Sequence, residues 1–100
     1  MAPLLRVVRR MQIRNNEAES RFESEVDGKL SFVEYKMAPH RIILVHTEVP
    51  EELSGRSIAQ EMAKTALDYA RQNNLHVVAL CSYIAAYIKR HPEYQDLLAR

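Results

Sequence analysis

The feature that most constrains the fold is an apolar strand that leads through a short loop into an amphipathic helix and then into a second apolar strand. The three segments span residues 41–49, 57–73 and 75–80. The first strand is apolar on both faces, which is typical of a central strand covered on two sides. Pro50 ends this strand, because proline cannot donate to a sheet. The helix is long enough for a right-handed crossover, so the unit predicts two neighbouring parallel strands.

Helical spacing is clear in two places. The apolar residues of the 57–73 segment recur at intervals of three and four. Asn73 and Asn74 predict its end, since asparagine tolerates the left-handed conformation. A second helix is predicted over 83–91, with Ser82 as its cap.

An antiparallel hairpin precedes this unit. Residues 21–26 alternate polar and apolar side chains, as a half-buried strand does. Asp27-Gly28 is a strong signal for a tight hairpin turn, and residues 29–36 form the return strand before a break at 37–40. This order of elements predicts an α/β fold with a mixed sheet, antiparallel through the hairpins and parallel at the crossover.

Composition and charge place the chain among small globular proteins. It has 100 residues, and 47% of them are apolar. The net charge is only +1, so the overall electrostatic field does not favour binding of nucleic acid. No apolar run approaches the roughly 20 residues of a bilayer span, and no Cys/His spacing suggests zinc. The single cysteine, Cys81, fits a reducing compartment, so we expect a cytoplasmic protein. Residues 1–10 are rich in arginine, and we expect them to extend a domain over 11–100.

The loop before the first helix is a candidate anion site. Backbone N–H groups at a helix N-terminus lack partners within the helix and carry partial positive charge. Small residues here let a phosphate approach the backbone, and Arg56 and Lys64 can add charge. The same residues fit an ordinary strand–helix turn, in which Gly55 serves only the turn. The loop alone leaves both interpretations open.

Three segments in matching order resemble the GNAT N-acetyltransferases, and more specifically their short single-domain branch sometimes called YjdJ-type. The matching segments are 46–53 and 66–70, and then Cys81 followed by 85–94. The resemblance covers most of the chain. It implies a GNAT-like fold and an N-acetyltransferase that uses acetyl-CoA as its acyl donor, without a metal.

The resemblance also implies a binding mode. The pantetheine arm lies between two splayed strands, and the pyrophosphate lies on the N–H groups of residues 54–59. The thioester lies near His46, acting as a base, and Cys81, acting as a nucleophile or as a neighbour of the thioester. A cysteine becomes nucleophilic as a thiolate, which an imidazole or a helix N-terminus favours. The expected CoA-binding residues are Thr47, Glu48, Val49, Ser54, Gly55, Arg56, Ser57, Ile58, Ala59, Ser82, Tyr83, Tyr87 and Arg90.

The chain departs from the family's acetyl-CoA motif. Ser54 occupies its Gln/Arg position and Ser57 its first glycine position, while Ala59 fits the last position. A Cβ at residue 57 is expected to narrow the pyrophosphate cradle or to demand a negative φ. Weaker binding of CoA follows from either effect.

The residues alone support other roles for the same side chains. Cys81 fits a buried strand cysteine, and His46 fits a core histidine because it alternates with Ile42 and Leu44. Glu48 is an alternative base. Two functions therefore stand: an acetyltransferase acting on a small amine or on a protein lysine or N-terminus, or a weakly active module that binds CoA or a partner protein. In either case we expect a monomer or weak dimer, with no nucleic acid or membrane partner.

Overall fold

The computed structural model describes residues 12–99, whose five strands lie in one sheet in the order of the sequence. Pairing is antiparallel from β1 to β4 and parallel between β4 and β5, which confirms the predicted mixed sheet. The predicted extension over residues 1–10 lies outside the described residues. The strands are β1 (Arg14–Asn16), β2 (Arg21–Val26), β3 (Lys29–Ala38), β4 (Arg41–Glu48) and β5 (His76–Ala79).

Two α-helices, α1 (Ile58–Gln72) and α2 (Ser82–Arg90), pack on the same face of the sheet. A short 3₁₀ helix, Glu51–Leu53, precedes α1, and another, Pro92–Leu97, follows α2. In the described part of the chain, neither α-helix has the length and apolar composition of a membrane span.

The start of α2 lies one residue earlier than the sequence predicted. Cys81, not Ser82, is its cap, because the Cys81 carbonyl already accepts the N–H of Ala85 at 3.0 Å. Ser82 is the first residue of the helix itself.

The turns follow their local signals. Asp27 and Gly28 have φ values of 52° and 74°, the pair of positive angles that a tight hairpin turn requires. Asn74, just beyond α1, has a φ of 54°. β3 continues two residues past its predicted end, because Met37 and Ala38 still pair with β4 and Pro39 falls in the turn, where no ladder donor is needed.

Among residues 12–99, helices cover β4 on one face, whereas we expected this part of the chain to cover the strand on both faces. Ile42 and Leu44 are completely buried under α1 and α2. Ile43 points to the other face, where it is half-buried between its strand neighbours Lys36 and Val78. These neighbours shield the apolar side chain, because the stem of a lysine can cover apolar surface. We call this side of the sheet, which no helix of residues 12–99 covers, the open face.

A β-bulge in β4 decides which side chains face the helices. Tyr35 pairs with Leu44 and Glu34 pairs with His46, so Val45 is an extra residue between two paired ones. One extra residue reverses the alternation of side chains, and beyond Val45 it is the odd-numbered residues of β4 that face the helices. The expectation that His46 alternates into the core with Leu44 is therefore wrong, and the side chain is exposed.

A buried carboxylate joins β1 to β2 on the open face. Glu23 is only 3% exposed, and it accepts hydrogen bonds from the Nε atoms of Arg21 at 2.7 Å and Arg14 at 2.9 Å. Asn16 donates a further bond at 3.2 Å. The two guanidinium groups outweigh the effect of burial and lower the pKa of Glu23 to about 2. These side-chain hydrogen bonds hold the three-residue strand β1 against β2. We did not predict β1 from the sequence.

Candidate functional site

β4 and β5 part at their carboxyl ends. Their pairing stops at Leu44 and Ala79. Beyond these residues β4 continues to Glu48, whereas the segment after β5 turns into α2. The Leu44 carbonyl accepts the N–H groups of both Leu80 and Cys81 at 3.0 Å, and this is the final link between the strands. The backbone of residues 45–48 therefore borders an opening, at the place where the resemblance puts the pantetheine arm.

The loop before α1 has the backbone of an anion cradle. Gly55 and Ser57 have φ values of 85° and 64°, both left-handed, while Arg56 between them does not share that conformation. Alternation of this kind points successive N–H groups into one concavity that binds anions. Ser57 also caps α1 without any side-chain hydrogen bond. The amides of the first helical turn, which lack partners within a helix, add to the same site.

Ser57 adopts the conformation that glycine adopts without strain. The expectation of a negative φ at this position is therefore wrong. The fold imposes a positive angle because the chain must turn from the 3₁₀ helix into α1 within a few residues. For a residue with a Cβ, this conformation costs about 1–2 kcal/mol.

Replacing Ser57 with glycine is expected to stabilise the protein by about 0.5–1 kcal/mol, because the strain released exceeds the entropy that glycine adds to the unfolded chain. In a domain of this size the Tm rises by about 2–8 °C. Gly55→Ala is the matched variant. A Cβ at Gly55 meets open space, but the φ of 85° makes alanine cost about 1 kcal/mol. Thermal unfolding of both variants checks this, and a Ser57→Gly protein that melts below wild type contradicts it.

A hollow of about 220 Å³ opens beside the cradle. The loop, Val49 just beyond β4, the first turn of α1 and the start of α2 form its walls. Burial raises the pKa of Tyr83, a residue of this wall. The predicted CoA-binding residues that line the hollow are Val49, Ser54, Gly55, Ser57, Ile58, Ala59 and Tyr83.

Sequence reasoning missed two residues of this hollow, Leu53 and Gln60. Leu53 is buried in a 3₁₀ turn that has no periodic pattern of its own. Gln60 lies in the first turn of α1, so the helix N-terminus identified in the sequence was sufficient signal to include it.

Other predicted CoA-binding residues lie elsewhere. Arg56 forms an ion pair with Asp27 at 2.7 Å, which ties the cradle to the β2–β3 turn. Tyr87 is buried and stacks on His91 with ring centroids 3.9 Å apart, so it packs within the helical layer. Ser82 and Arg90 are exposed on α2 and do not line the hollow.

Cys81 lies at the start of α2 and is 8% exposed. Its Sγ lies 3.3 Å from the Oγ1 of Thr47, which the bulge turns toward the helices. The structure therefore brings Thr47 to Cys81, where the sequence suggested His46. Nothing in the sequence shows that Val45 is an extra residue in β4, which is what turns Thr47 rather than His46 toward Cys81.

His46 lies on the open face with Glu48. The His46 Nε2 is 2.8 Å from the Glu48 Oε1, and both side chains are 54% exposed. The ring of Phe32 borders the pair, with its centroid 6.3 Å from that of the imidazole. Since Thr47 and His46 are adjacent in the strand, His46 and Cys81 lie on opposite faces of β4. Among the described residues, no hydrogen bond joins them.

Comparison with known proteins supports one family. The family model described as GCN5-related N-acetyl-transferase matches residues 21–97. Protein NATD1 of Gallus gallus is 33% identical over 90 residues, which cover 87% of this chain and 82% of that protein. Protein NATD1 of Danio rerio is 30% identical over 98 residues, covering 94% of this chain and 88% of the relative. The solution NMR structure of a GCN5-like protein from Staphylococcus aureus matches with a TM-score of 0.71 and 27% identity, covering 88% of this chain and 87% of that chain.

Proposed function

Because the chain belongs to the GCN5-related N-acetyltransferase family, we propose that it transfers an acetyl group from acetyl-CoA to an amine. One observation carries the proposal: the cradle, Val49 just beyond β4 and Tyr83 of α2 line a single hollow, and β4 and β5 have stopped pairing before they reach it. A phosphate-binding backbone beside an opening between strands suits a ligand that has a pyrophosphate at one end and an extended arm at the other.

The residues present fit acetyl-CoA. The amides of residues 55–59 would hold the pyrophosphate, because two left-handed residues turn the backbone there. The N–H of Ser54, expected in the same set, already donates to the Glu51 carbonyl at 3.1 Å. The strand backbone at residues 45–48 would bind the pantetheine arm and the thioester carbonyl. When bound, acetyl-CoA supplies an activated acetyl group. Thr47 and Cys81 would border the thioester on the helix-covered face.

His46 is the base in this proposal, and it removes a proton from the acceptor amine. Its hydrogen-bond partner is Glu48 rather than Cys81, so the imidazole is not placed to activate the thiol. This arrangement favours direct attack of the amine on the thioester. The acceptor stays a prediction: a small amine, or a lysine or N-terminus of a protein. The cytoplasmic location, the YjdJ-type branch, and the monomer or weak dimer also stay predictions.

A thermal-shift titration with CoA tests the proposal most directly. At a concentration of 100 times its Kd, a ligand stabilises its protein by about 2.7 kcal/mol, which corresponds to a rise in Tm of about 10 °C or more. Ser57→Glu is expected to abolish the shift, since a carboxylate in the cradle repels the pyrophosphate. Gln72→Glu adds the same charge on an exposed residue at the other end of α1 and should keep the shift. No shift in the wild type at millimolar CoA would refute the proposal.

A module that binds CoA without efficient turnover is the second candidate. Ser57, where the family motif has glycine, favours it, because a Cβ at this position narrows the space around the pyrophosphate. A clear thermal shift with CoA, together with no acetyl transfer to any of a panel of amines, would select this function.

A further inference from the structure

The contact between His46 and Glu48 determines which imidazole nitrogen carries the proton. An ionised carboxylate can only accept hydrogen bonds, so the His46 Nε2, at 2.8 Å from Glu48, must be the N–H donor. In the neutral ring, the Nδ1 is then left with a free lone pair. Glu48 therefore holds the imidazole in the state in which the Nδ1 can accept a proton.

The bulge at Val45 is what places both side chains on the same accessible surface. Beyond it, residues 46 and 48 point to the open face, and each side chain is 54% exposed. Cys81, on the other face of β4, is 8% exposed beneath the helices. A molecule arriving from solvent can thus reach the imidazole without displacing any helix of residues 12–99.

We propose that Glu48 is a positioning residue for His46, and that the acceptor amine reaches His46 from the open face of the sheet, opposite Cys81. This inference rests on the proposed acetyl transfer from acetyl-CoA. It changes the role of Glu48 from a CoA contact or an alternative base to the group that orients the base. At metal sites, a carboxylate that orients a ligating histidine typically contributes about 10- to 100-fold to affinity or activity, and we expect an effect of that size for Glu48 on His46.

Acetyl transfer converts the acceptor ammonium group into an amide and releases two protons. The Nδ1 of His46 takes one proton from the acceptor ammonium group, and the lone pair of the free amine forms the new C–N bond. The C–S bond of the thioester breaks, and its electron pair stays on the CoA sulfur. The second proton leaves the nitrogen and protonates that sulfur. The products are an amide, the CoA thiol and a protonated His46.

Nitrogen-15 NMR of the labelled protein without ligand tests the role of Glu48 directly. At a mildly alkaline pH, the neutral His46 ring of the wild type should be mainly the Nε2–H tautomer, with its signals assigned through a His46→Gln variant. In Glu48→Ala the two tautomers should mix, and kcat for acetyl transfer should fall about 10-fold or more. Glu34→Ala is the matched control, because it removes a carboxylate opposite His46 in the strand pairing. It should change neither the tautomer nor kcat.

Three results would overturn the inference. The first is an unchanged tautomer in Glu48→Ala while the wild type transfers acetyl groups normally, which removes the role of Glu48 and leaves the proposed function intact. The second is an equal loss of kcat in Glu34→Ala, which would assign the effect to charge alone. The third is a wild type that gives no CoA shift and no transfer. That result refutes the proposed function as well, even if the tautomer agrees, so the two failures are distinguishable.

Discussion

His46→Ala should lower kcat for acetyl transfer by about 100-fold or more, since a positioned general base contributes roughly 10²- to 10⁴-fold to a proton transfer. The shift in Tm caused by CoA should stay at its wild-type size, because His46 does not line the hollow beside the cradle. Steady-state kinetics with a saturating amine, together with a CoA titration, measures both quantities. A variant that keeps wild-type kcat would exclude His46 as the base.

Cys81→Ala is the matched comparison on the other face of β4. If the amine attacks the thioester directly, kcat should fall by less than about 10-fold, from the lost contact with Thr47 rather than from lost chemistry. Intact-mass spectrometry after incubation with acetyl-CoA should then show no acetyl group on Cys81. An acetyl adduct that disappears in Cys81→Ala, along with the activity, would establish the covalent route instead.

Glu23→Gln should destabilise the protein by about 2–3 kcal/mol, because the buried side chain loses the negative charge that strengthens its hydrogen bonds to two guanidinium groups. The corresponding fall in Tm is about 10–20 °C. Glu25→Gln is the matched control, since this exposed residue lies two positions further along the same strand and points to the same face. An equal effect of the two substitutions would contradict the role of the buried cluster.

The titration of Glu23 should make the folding stability of the protein depend on pH. The pKa of Glu23 is about 2 in the folded protein, against a reference value of 4.5 for the unfolded chain. Because the folded pKa is the lower one, the stabilisation is present above about pH 4.5 and disappears as the pH falls toward 2. Melting curves over this range should show the wild type losing stability faster than Glu23→Gln. Parallel curves would contradict this assignment.

Much of the site could be predicted because its signals are local. The turn at Asp27-Gly28 and the left-handed Asn74 just beyond α1 depend on conformations that only certain residues adopt readily. The cradle was found in the same way, since Gly55 and the serines beside it lie directly before a helical pattern. Seven of the residues expected to bind CoA line the 220 Å³ hollow. All of them except Tyr83 are near neighbours in the chain, so a local signal was sufficient to group them.

The contact between Thr47 and Cys81 could not be predicted from the sequence. Residues 46 and 47 are adjacent, and the alternation of a regular strand would have turned His46 toward Cys81 and Thr47 away from it. The extra residue at Val45 reverses this order. A bulge depends on how β3 and β4 align along their whole length, and no local pattern in β4 carries that information. Strand β1 was missed for a related reason, since three residues are too few to show a period.

The amino-acid sequence by itself determined the order of the elements, the crossover and the position of the small-residue loop before α1, because periodicity, turn residues and helix ends are properties of short segments. Only the tertiary structure decided which side chains meet. It placed Thr47 beside Cys81 under the helices, and it placed His46 with Glu48 on the open face. The physical reason is that the register between strands sets the face of the sheet to which each side chain points. A single unpaired residue moves every side chain beyond it to the opposite face.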